Sequence, residues 1–289
     1  MPVPESVQPL EPGQRPWQLG EIVSIFRFRQ WWYFTLLPLS AWQVGRPWAA
    51  QIPSFVAATL SAAACMGYGY GLNAVSDRAT DLDPKKNPLV GRDVPRAARA
   101  MLMWAGLAAL VAAHWANRGA SLIAAISLAA STVYSAGPRW KAAPWLGTLL
   151  NVPLFVPLLW LGPVQQRLPY LPQISCIFAI LLVQNQLLHE LVDADEDRRG
   201  RVWTTGQLLG ALWVQRLIAM MAFFTAGLQM ALAPSSPLAA VGIVATALPS
   251  LALVLTTNAA RMRRIHRWLA MASGGLLWLV GQTDLGRWA

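Results

Sequence analysis

Nine stretches of predominantly apolar sequence, each near twenty residues long, run through this chain. They lie near residues 24–44, 50–73, 97–116, 119–136, 145–163, 170–190, 206–232, 236–257 and 266–283. About twenty apolar residues make a helix long enough to cross the hydrocarbon core of a bilayer. No water is available there for backbone N–H and C=O groups, so a crossing segment must satisfy them within its own helix or in a closed barrel. The lengths select helices, and the chain is predicted to be an all-α membrane protein with about nine transmembrane helices. Composition agrees: 12% of residues are charged and mean hydropathy is +0.41, against about 25% charged in a soluble domain. A disordered chain and a soluble globular enzyme are both excluded.

The net charge of +10 raises the question of nucleic acid. The basic residues are scattered between apolar runs and form no single stripe, so no nucleic-acid partner is expected. Their distribution instead predicts topology. If successive connections alternate sides, 19 of the 23 Lys and Arg fall with the N-terminus, and only Arg46, Arg118, Arg167 and Arg287 fall opposite. The positive-inside rule then puts the N-terminus and the basic loops in the cytoplasm of a multi-pass protein, expected in a bacterial or archaeal inner membrane. Residues 1–20 read as a polar, proline-rich tail and 21–289 as one transmembrane domain. No cleavable signal is predicted, because no charged segment with a short apolar core opens the chain. Cys65 and Cys176 lie inside apolar runs and imply no disulfide framework.

Acidic residues are few, and their placement is informative. Nine of the 13 fall in two short windows: Asp77, Asp81, Asp83 and Asp93, then Glu190, Asp193, Asp195, Glu196 and Asp197. Each window closes an apolar run on the basic side. Asn73, Asp77 and Asp81 are four residues apart, so a helix would stack them on one face. Asp193 and Asp197 repeat the arrangement, with Asn185 and His189 continuing that face inward. The two pairs are offset by 116 residues, which hints at a duplicated four-helix half. Carboxylates one turn apart repel, and two facing pairs call for cations. Oxygen ligands with room for water and phosphate favour Mg²⁺, which combines one or two carboxylates with substrate phosphates. Such a rim suits a diphosphate. Cations beside it can hold the outer oxygens and stabilise them as a leaving group; Arg78, Lys85, Arg198 and Arg201 flank the acidic pairs, and Tyr134-Ser135-Ala136-Gly137-Pro138-Arg139-Trp140-Lys141 forms a basic loop.

These residues resemble the UbiA superfamily of intramembrane prenyltransferases. Asn73-Ala74-Val75-Ser76-Asp77-Arg78-Ala79-Thr80-Asp81 matches its NxxxDxxxD signature. Asp193 to Asp197, followed by Gly200 and Thr204, is similar to its second Asp motif, and Tyr134-Ser135 through Pro138, Arg139 and Lys141 to its YSxxPxRxK-like loop. The resemblance implies a helical bundle around a central cavity with a lateral opening to the lipid. It implies an isoprenyl diphosphate held through Mg²⁺ by Asn73, Asp77, Asp81, Asp193 and Asp197, with Arg139 and Lys141 on the diphosphate and Tyr134 as a cation-stabilising wall. Arg78 and Arg198 are further candidate diphosphate contacts. Diphosphate loss leaves an allylic cation, which a lipophilic acceptor attacks, aromatic or quinone-like in much of the family. The sequence departs from the family pattern at Ala74, His189 and Gly200, and at Arg27-Phe28-Arg29-Gln30-Trp31-Trp32 where an Arg-Pro pair is frequent.

Plainer readings exist for several features. The Tyr134 loop could be a positive-inside turn whose Tyr sits at the interface. Arg261, Arg263, Arg264 and Arg267 read as topology determinants or lipid contacts. His114 and His266 read as interfacial bystanders, and His189 as a cavity candidate able to order a ligand in its neutral form. Trp31, Trp32 and Trp42 read as interface anchors, while the Gly67-Tyr68-Gly69-Tyr70-Gly71 run allows close helix packing. Among functions, the alternative closest to transfer is a terpene cyclase of the same family, in which the cation attacks its own double bonds. An ion-coupled transporter is disfavoured because the carboxylates lie at helix ends, away from the bilayer midplane. A CDP-alcohol phosphotransferase would need a Gly-rich signature that both windows lack.

Overall fold

The computed structural model describes residues 16–42, 47–81, 83–136, 140–162, 171–199, 202–232 and 237–288, with the side chains of 231–232, 237–238 and 283–288 left aside. Among the described residues every regular element is helical. The chain opens with α1 (Leu19–Ile25) and α2 (Phe28–Trp31), followed by a 3₁₀ helix, Trp32–Ala41. Next come α3 (Trp48–Asp77), α4 (Arg96–Ala116) and α5 (Ala120–Ser135). The fifth segment is broken into α6 (Leu146–Leu149), α7 (Asn151–Phe155) and a 3₁₀ turn, Val156–Trp160. Then follow α8 (Leu171–Arg199) and α9 (Thr205–Leu232), and an eighth segment made of α10 (Pro237–Ala247), a 3₁₀ turn Leu248–Leu251 and α11 (Ala252–Leu255). The ninth is α12 (Ala259–Trp288).

All nine predicted segments are present as helical units, but three are not continuous α-helices. The first begins inside the predicted tail, at Leu19, and becomes 3₁₀ around Pro38. The fifth and eighth break where Pro153, Pro157 and Pro249 each remove a backbone donor. Among the described residues four helices are long and apolar enough to span a membrane: Trp48–Asp77, Arg96–Ala116, Leu171–Arg199 and Thr205–Met230. The outer faces of α3, α4 and α9 carry large apolar side chains such as Leu60, Trp104, Phe223 (82% exposed) and Phe224. In water that belt would drive aggregation; in lipid it is the solvent-facing surface of an integral membrane protein.

Two groups of helices face each other. Helices α3, α4 and α5 pack mutually, and α8, α9, α10 and α12 form the second group. The first and fifth segments lie between them, touching through their 3₁₀ turns. Small residues let α3 sit close to its neighbours. A Cβ on Gly69 would lie 2.9 Å from Ser131 Oγ, and one on Gly71 would lie 2.8 Å from Leu102 and Phe26, so the glycine run does bring helices together. Helix α9 bends at Gly210, whose φ of +72° is open to a residue without Cβ. Trp31, read above as an interface anchor, is instead 5% exposed and donates its indole N–H to Phe26 O at 2.5 Å. His266, read as a bystander, is buried, with Nε2 3.0 Å from Gln184 Oε1. Both cysteines are free.

Candidate active site

The C-terminal turns of the long helices α3 and α8 line opposite sides of one cavity of about 580 Å³. Asn73, Asp77 and Asp81 line it from one side; Asn185, His189, Asp193 and Asp197 line it from the other. The two acidic windows, more than 110 residues apart in sequence, therefore share one pocket.

Each carboxylate is held differently. Among the aspartates of the rim Asp77 is the buried one, at 5% exposure. Asp81 lies just past the end of α3, where its N–H donates to Asp77 O at 2.8 Å and continues the helical spacing by one more turn. Its carboxylate accepts from Asn87 Nδ2 at 2.9 Å and from Arg27 at 3.4 Å. Asn87, which the sequence reading passed over, also donates to Ala74 O at 2.8 Å, folding the loop after α3 back onto the helix. On α8, Asp193 Oδ2 lies 3.1 Å from His189 Nδ1.

Cations cross between these groups. Lys141 donates to Asn73 Oδ1 at 2.8 Å and to Asp77, and its Nζ lies 6.0 Å from the centre of the Tyr134 ring. Lys86 reaches from the loop after α3 to Glu196 on α8, with Asp193 Oδ1 at 3.8 Å. It thus links the two acidic windows. Burial alone would lower the Lys86 pKa, but the hydrogen bond to Glu196 and the carboxylates of Asp193, Glu196 and Asp81 outweigh it, and the net shift is upward.

Glu190 is a further residue that the sequence placed in a window without a role. It is 5% exposed and accepts from Thr148 Oγ1 at 2.7 Å, Gly206 N at 2.8 Å and Gln186 Nε2 at 3.3 Å. Thr148 and Thr205 hydroxyls lie 2.8 Å apart, and Thr205 Oγ1 accepts from Trp145 N at 2.7 Å. One buried carboxylate therefore pins the starts of α6 and α9 to the inner part of the acidic turn of α8. The loop carrying Lys141 is tied in beside it: a Cβ on Gly147 would lie 2.4 Å from Lys141 O, so only glycine permits that approach.

Not every predicted contact reaches the cavity. Arg78 is exposed and off the cavity wall. Arg198 turns outward and pairs with exposed Asp195, also off the wall. Both follow from helical geometry, since a residue next to an inward Asp projects about 100° away from it. Arg139, Gly200 and Arg201 fall outside the described residues. Tyr134 and Ser135 do line the cavity, and Ser135 donates to Asn73 Oδ1 at 3.3 Å. Arg263 and Arg267, read above as topology determinants, line it too.

Among the described residues no three His, Cys, Asp or Glu side chains converge on one metal position. The donors are hard oxygens, divided between two helix ends. That division suits a hard divalent ion taking one or two carboxylates from each side and its remaining ligands from phosphate and water, and it does not suit an all-protein cage. Below the rim the wall becomes apolar, with Phe34, Met66, Leu154 and Phe155 around Gly69.

A rim of carboxylates and cations over an apolar chamber matches what the family motifs imply. The profile of the UbiA prenyltransferase family covers residues 28–280. The chain belongs to the UbiA prenyltransferase family. Solved structures of family members superpose over nearly their whole length. A UbiA homolog from Archaeoglobus fulgidus bound to DMAPP and Mg²⁺ has a TM-score of 0.73 at 18% identity, covering 90% of this chain and 98% of that one. The same homolog bound to GPP and Mg²⁺ scores 0.72 at 18% identity, covering 90% and 99%. The apo structure of a UbiA homolog from Aeropyrum pernix K1 scores 0.61 at 19% identity, covering 93% and 100%. At these identities the match establishes the UbiA fold. Comparison with curated proteins gives no significant match.

Proposed function

We propose that this chain is a Mg²⁺-dependent intramembrane prenyltransferase that moves an isoprenyl group from an isoprenyl diphosphate to a lipophilic acceptor, aromatic or quinone-like. The observation that carries this reading is the shared pocket: both acidic helix ends form one wall-to-wall rim above an apolar chamber. The family relatives bound to DMAPP or GPP with Mg²⁺ support the same class of donor and metal. Asn73, Asp77, Asp81, Asp193 and Asp197 would hold the metal, which when bound neutralises the diphosphate oxygens and so favours their departure.

The protein's own groups do the rest. Lys141, already bonded to Asn73 and Asp77, is placed to hold an outer diphosphate oxygen as negative charge develops there. The prenyl chain lies in the apolar chamber, where few water molecules compete for the cation. The allylic C–O bond breaks and its electron pair leaves with the diphosphate. Aromatic faces of Tyr134, Phe34 and Phe155 on the wall stabilise the resulting cation. An acceptor carbon then forms the new C–C bond and loses its proton. The basic side, with the rim, faces the cytoplasm in this reading.

The test is purified protein with geranyl diphosphate and Mg²⁺, following diphosphate release with and without aromatic acceptors. Release that requires Mg²⁺ and is abolished in Asp77→Asn and Asp193→Asn proteins is expected. Folded variants that consume the substrate at the wild-type rate would overturn the assignment. Acceptor-free turnover to hydrocarbon or terpene alcohol would identify a cyclase instead.

A further inference from the structure

The apolar chamber below the rim ends in a floor. On α3 the lining residues run from Asp77 and Asn73 down through Tyr70 and Gly69 to Met66, and on α8 from Asp193 through His189 to Asn185. Among the described residues the lining goes no deeper on either helix. At about 1.5 Å of rise per residue, Met66 lies roughly 10 Å below Asn73, and Asn185 roughly 12 Å below Asp193. Met66 is buried in one cluster with Trp31, Phe155, Leu158 and Leu182. Beside it the rings of Phe34 and Phe155 meet with centres 4.4 Å apart, joining the first segment to the fifth. The seal continues beneath them. Ser40 donates to Leu159 O at 3.2 Å, and a Cβ on Gly162 would lie 2.9 Å from Pro38 O and from the Ala41 Cβ.

The side of the chamber is polar. Between the first segment and α12 its wall is made by Arg29, Gln30, Tyr33 and Arg267, and Arg267 bridges the gap by donating to the Tyr33 hydroxyl. A hydrocarbon chain leaving there would break that bond and strip polar groups of their partners, which is costly. The floor therefore bounds the chain. An isoprene unit has four carbons along its length, and at about 1.5 Å per bond on a zigzag path it spans roughly 5 Å. Two units match the depth, whereas four need roughly twice it. The whole cavity, rim included, holds about 580 Å³, within the range of about 300–1,000 Å³ that suits a single drug-sized ligand, and diphosphate and acceptor must share it. Resting on the prenyltransferase reading, we infer that Met66, with the Phe34–Phe155 pair, is a chain-length stop that restricts the donor to isoprenyl diphosphates of one or two isoprene units.

Binding of dimethylallyl, geranyl, farnesyl and geranylgeranyl diphosphates with Mg²⁺ is measured on full-length protein in nanodiscs. Affinities are expressed per lipid, which removes the greater partitioning of the longer chains into the bilayer. The wild type is expected to bind geranyl diphosphate at least about 10-fold more tightly than farnesyl diphosphate, since one methylene too many in a filled pocket costs about 10–200-fold. Geranylgeranyl diphosphate should bind more weakly still. Met66→Ala deepens the chamber and should improve farnesyl relative to geranyl diphosphate by about 10-fold or more. Phe155→Leu opens the other half of the floor and should shift the ratio in the same direction. Thermal stabilisation by inorganic diphosphate with Mg²⁺ reports that each variant folds with its rim intact. Tyr33→Phe removes the side bridge but not the floor and should leave the order of preference as it is. Wild-type protein that binds geranylgeranyl as tightly as geranyl diphosphate overturns the inference, as does a preference that survives in both folded floor variants. So does a Tyr33→Phe protein that accepts long chains as well as Met66→Ala does, because the chain then leaves sideways. Wild-type protein stabilised by none of the four isoprenyl diphosphates would instead strike at the prenyltransferase reading itself.

Discussion

Replacing Glu190 with alanine removes the terminal acceptor of a hydrogen-bond chain whose direction the structure fixes. Trp145 N–H donates to Thr205, leaving the Thr205 hydroxyl to donate to Thr148 and the Thr148 hydroxyl to donate to Glu190. Gly206 N–H, at the first turn of α9, donates to the other carboxylate oxygen. Without Glu190 the two threonines can reverse, but one hydroxyl proton stays unmatched whichever way they turn, and Gly206 N–H loses its partner. Two orphaned buried donors, at about 1–3 kcal/mol each, give a loss of about 2–6 kcal/mol. The lost negative charge at the start of α9 adds about 0.3–1 kcal/mol. Glu190→Gln should cost less, about 1–3 kcal/mol, because its carbonyl can still end the chain while its amide NH₂ meets the Gly206 donor. Thr148→Val removes one link and should cost about 1–2 kcal/mol. Combined with Glu190→Ala it should cost less than the sum of the two, because each single change strands one hydroxyl proton of the same chain and the double change still strands only one, that of Thr205. Reversible denaturant unfolding in mixed micelles measures all four proteins. A Glu190→Ala protein within about 0.5 kcal/mol of wild type, the range of neutral surface changes, would refute the account of Glu190 as a clamp.

Three further outcomes follow from the same geometry. Lys141→Ala removes one cation from buried Asp77 and one donor from the diphosphate. Its kcat should fall about 100-fold or more, with Lys141→Arg intermediate, in steady-state diphosphate release. Gly147→Ala places a Cβ 2.4 Å from the Lys141 carbonyl and should lower stability by about 1–3 kcal/mol while also reducing activity, read by thermal unfolding and turnover on one sample. Lys86→Ala should lower stability by about 1 kcal/mol or less, because the pair is part-exposed and screened. The Lys86 pKa is raised in the fold, so its contribution is fully present below its ordinary value of 10.5 and fades only as pH climbs through the raised value. The difference between wild type and Lys86→Ala should thus stay flat from about pH 6 to 9, and a decline inside that window would contradict the assigned partners.

Much of this protein is legible along one dimension. Apolar run length gave nine helical segments, because a bilayer leaves the backbone few alternatives. The spacing of four between Asn73, Asp77 and Asp81, and between Asp193 and Asp197, put those groups on common faces before any tertiary contact was known. Helical periodicity likewise argues that Arg78 and Arg198, each next to an inward aspartate, should turn outward, as the structure has them. Proline positions explain the breaks in the fifth and eighth segments once the structure shows them, although hydropathy alone reads straight through both.

Other features belong to the tertiary structure alone. Lys86 differs from the neighbouring Lys85 only in where the folded loop carries it, and no local pattern reports that. Glu190 joins Thr148, Thr205 and Gly206 across three helices, so its role arises only when those ends meet. Arg263 and Arg267 look in sequence like any cluster of basic residues beside a membrane, and only the seating of α12 against α8 brings them to the cavity wall. Hydropathy and helical period are local properties, set by solvent and by the geometry of one chain segment. Which charged groups share a pocket depends on how distant segments pack, and packing is decided by shape complementarity that a linear pattern does not encode.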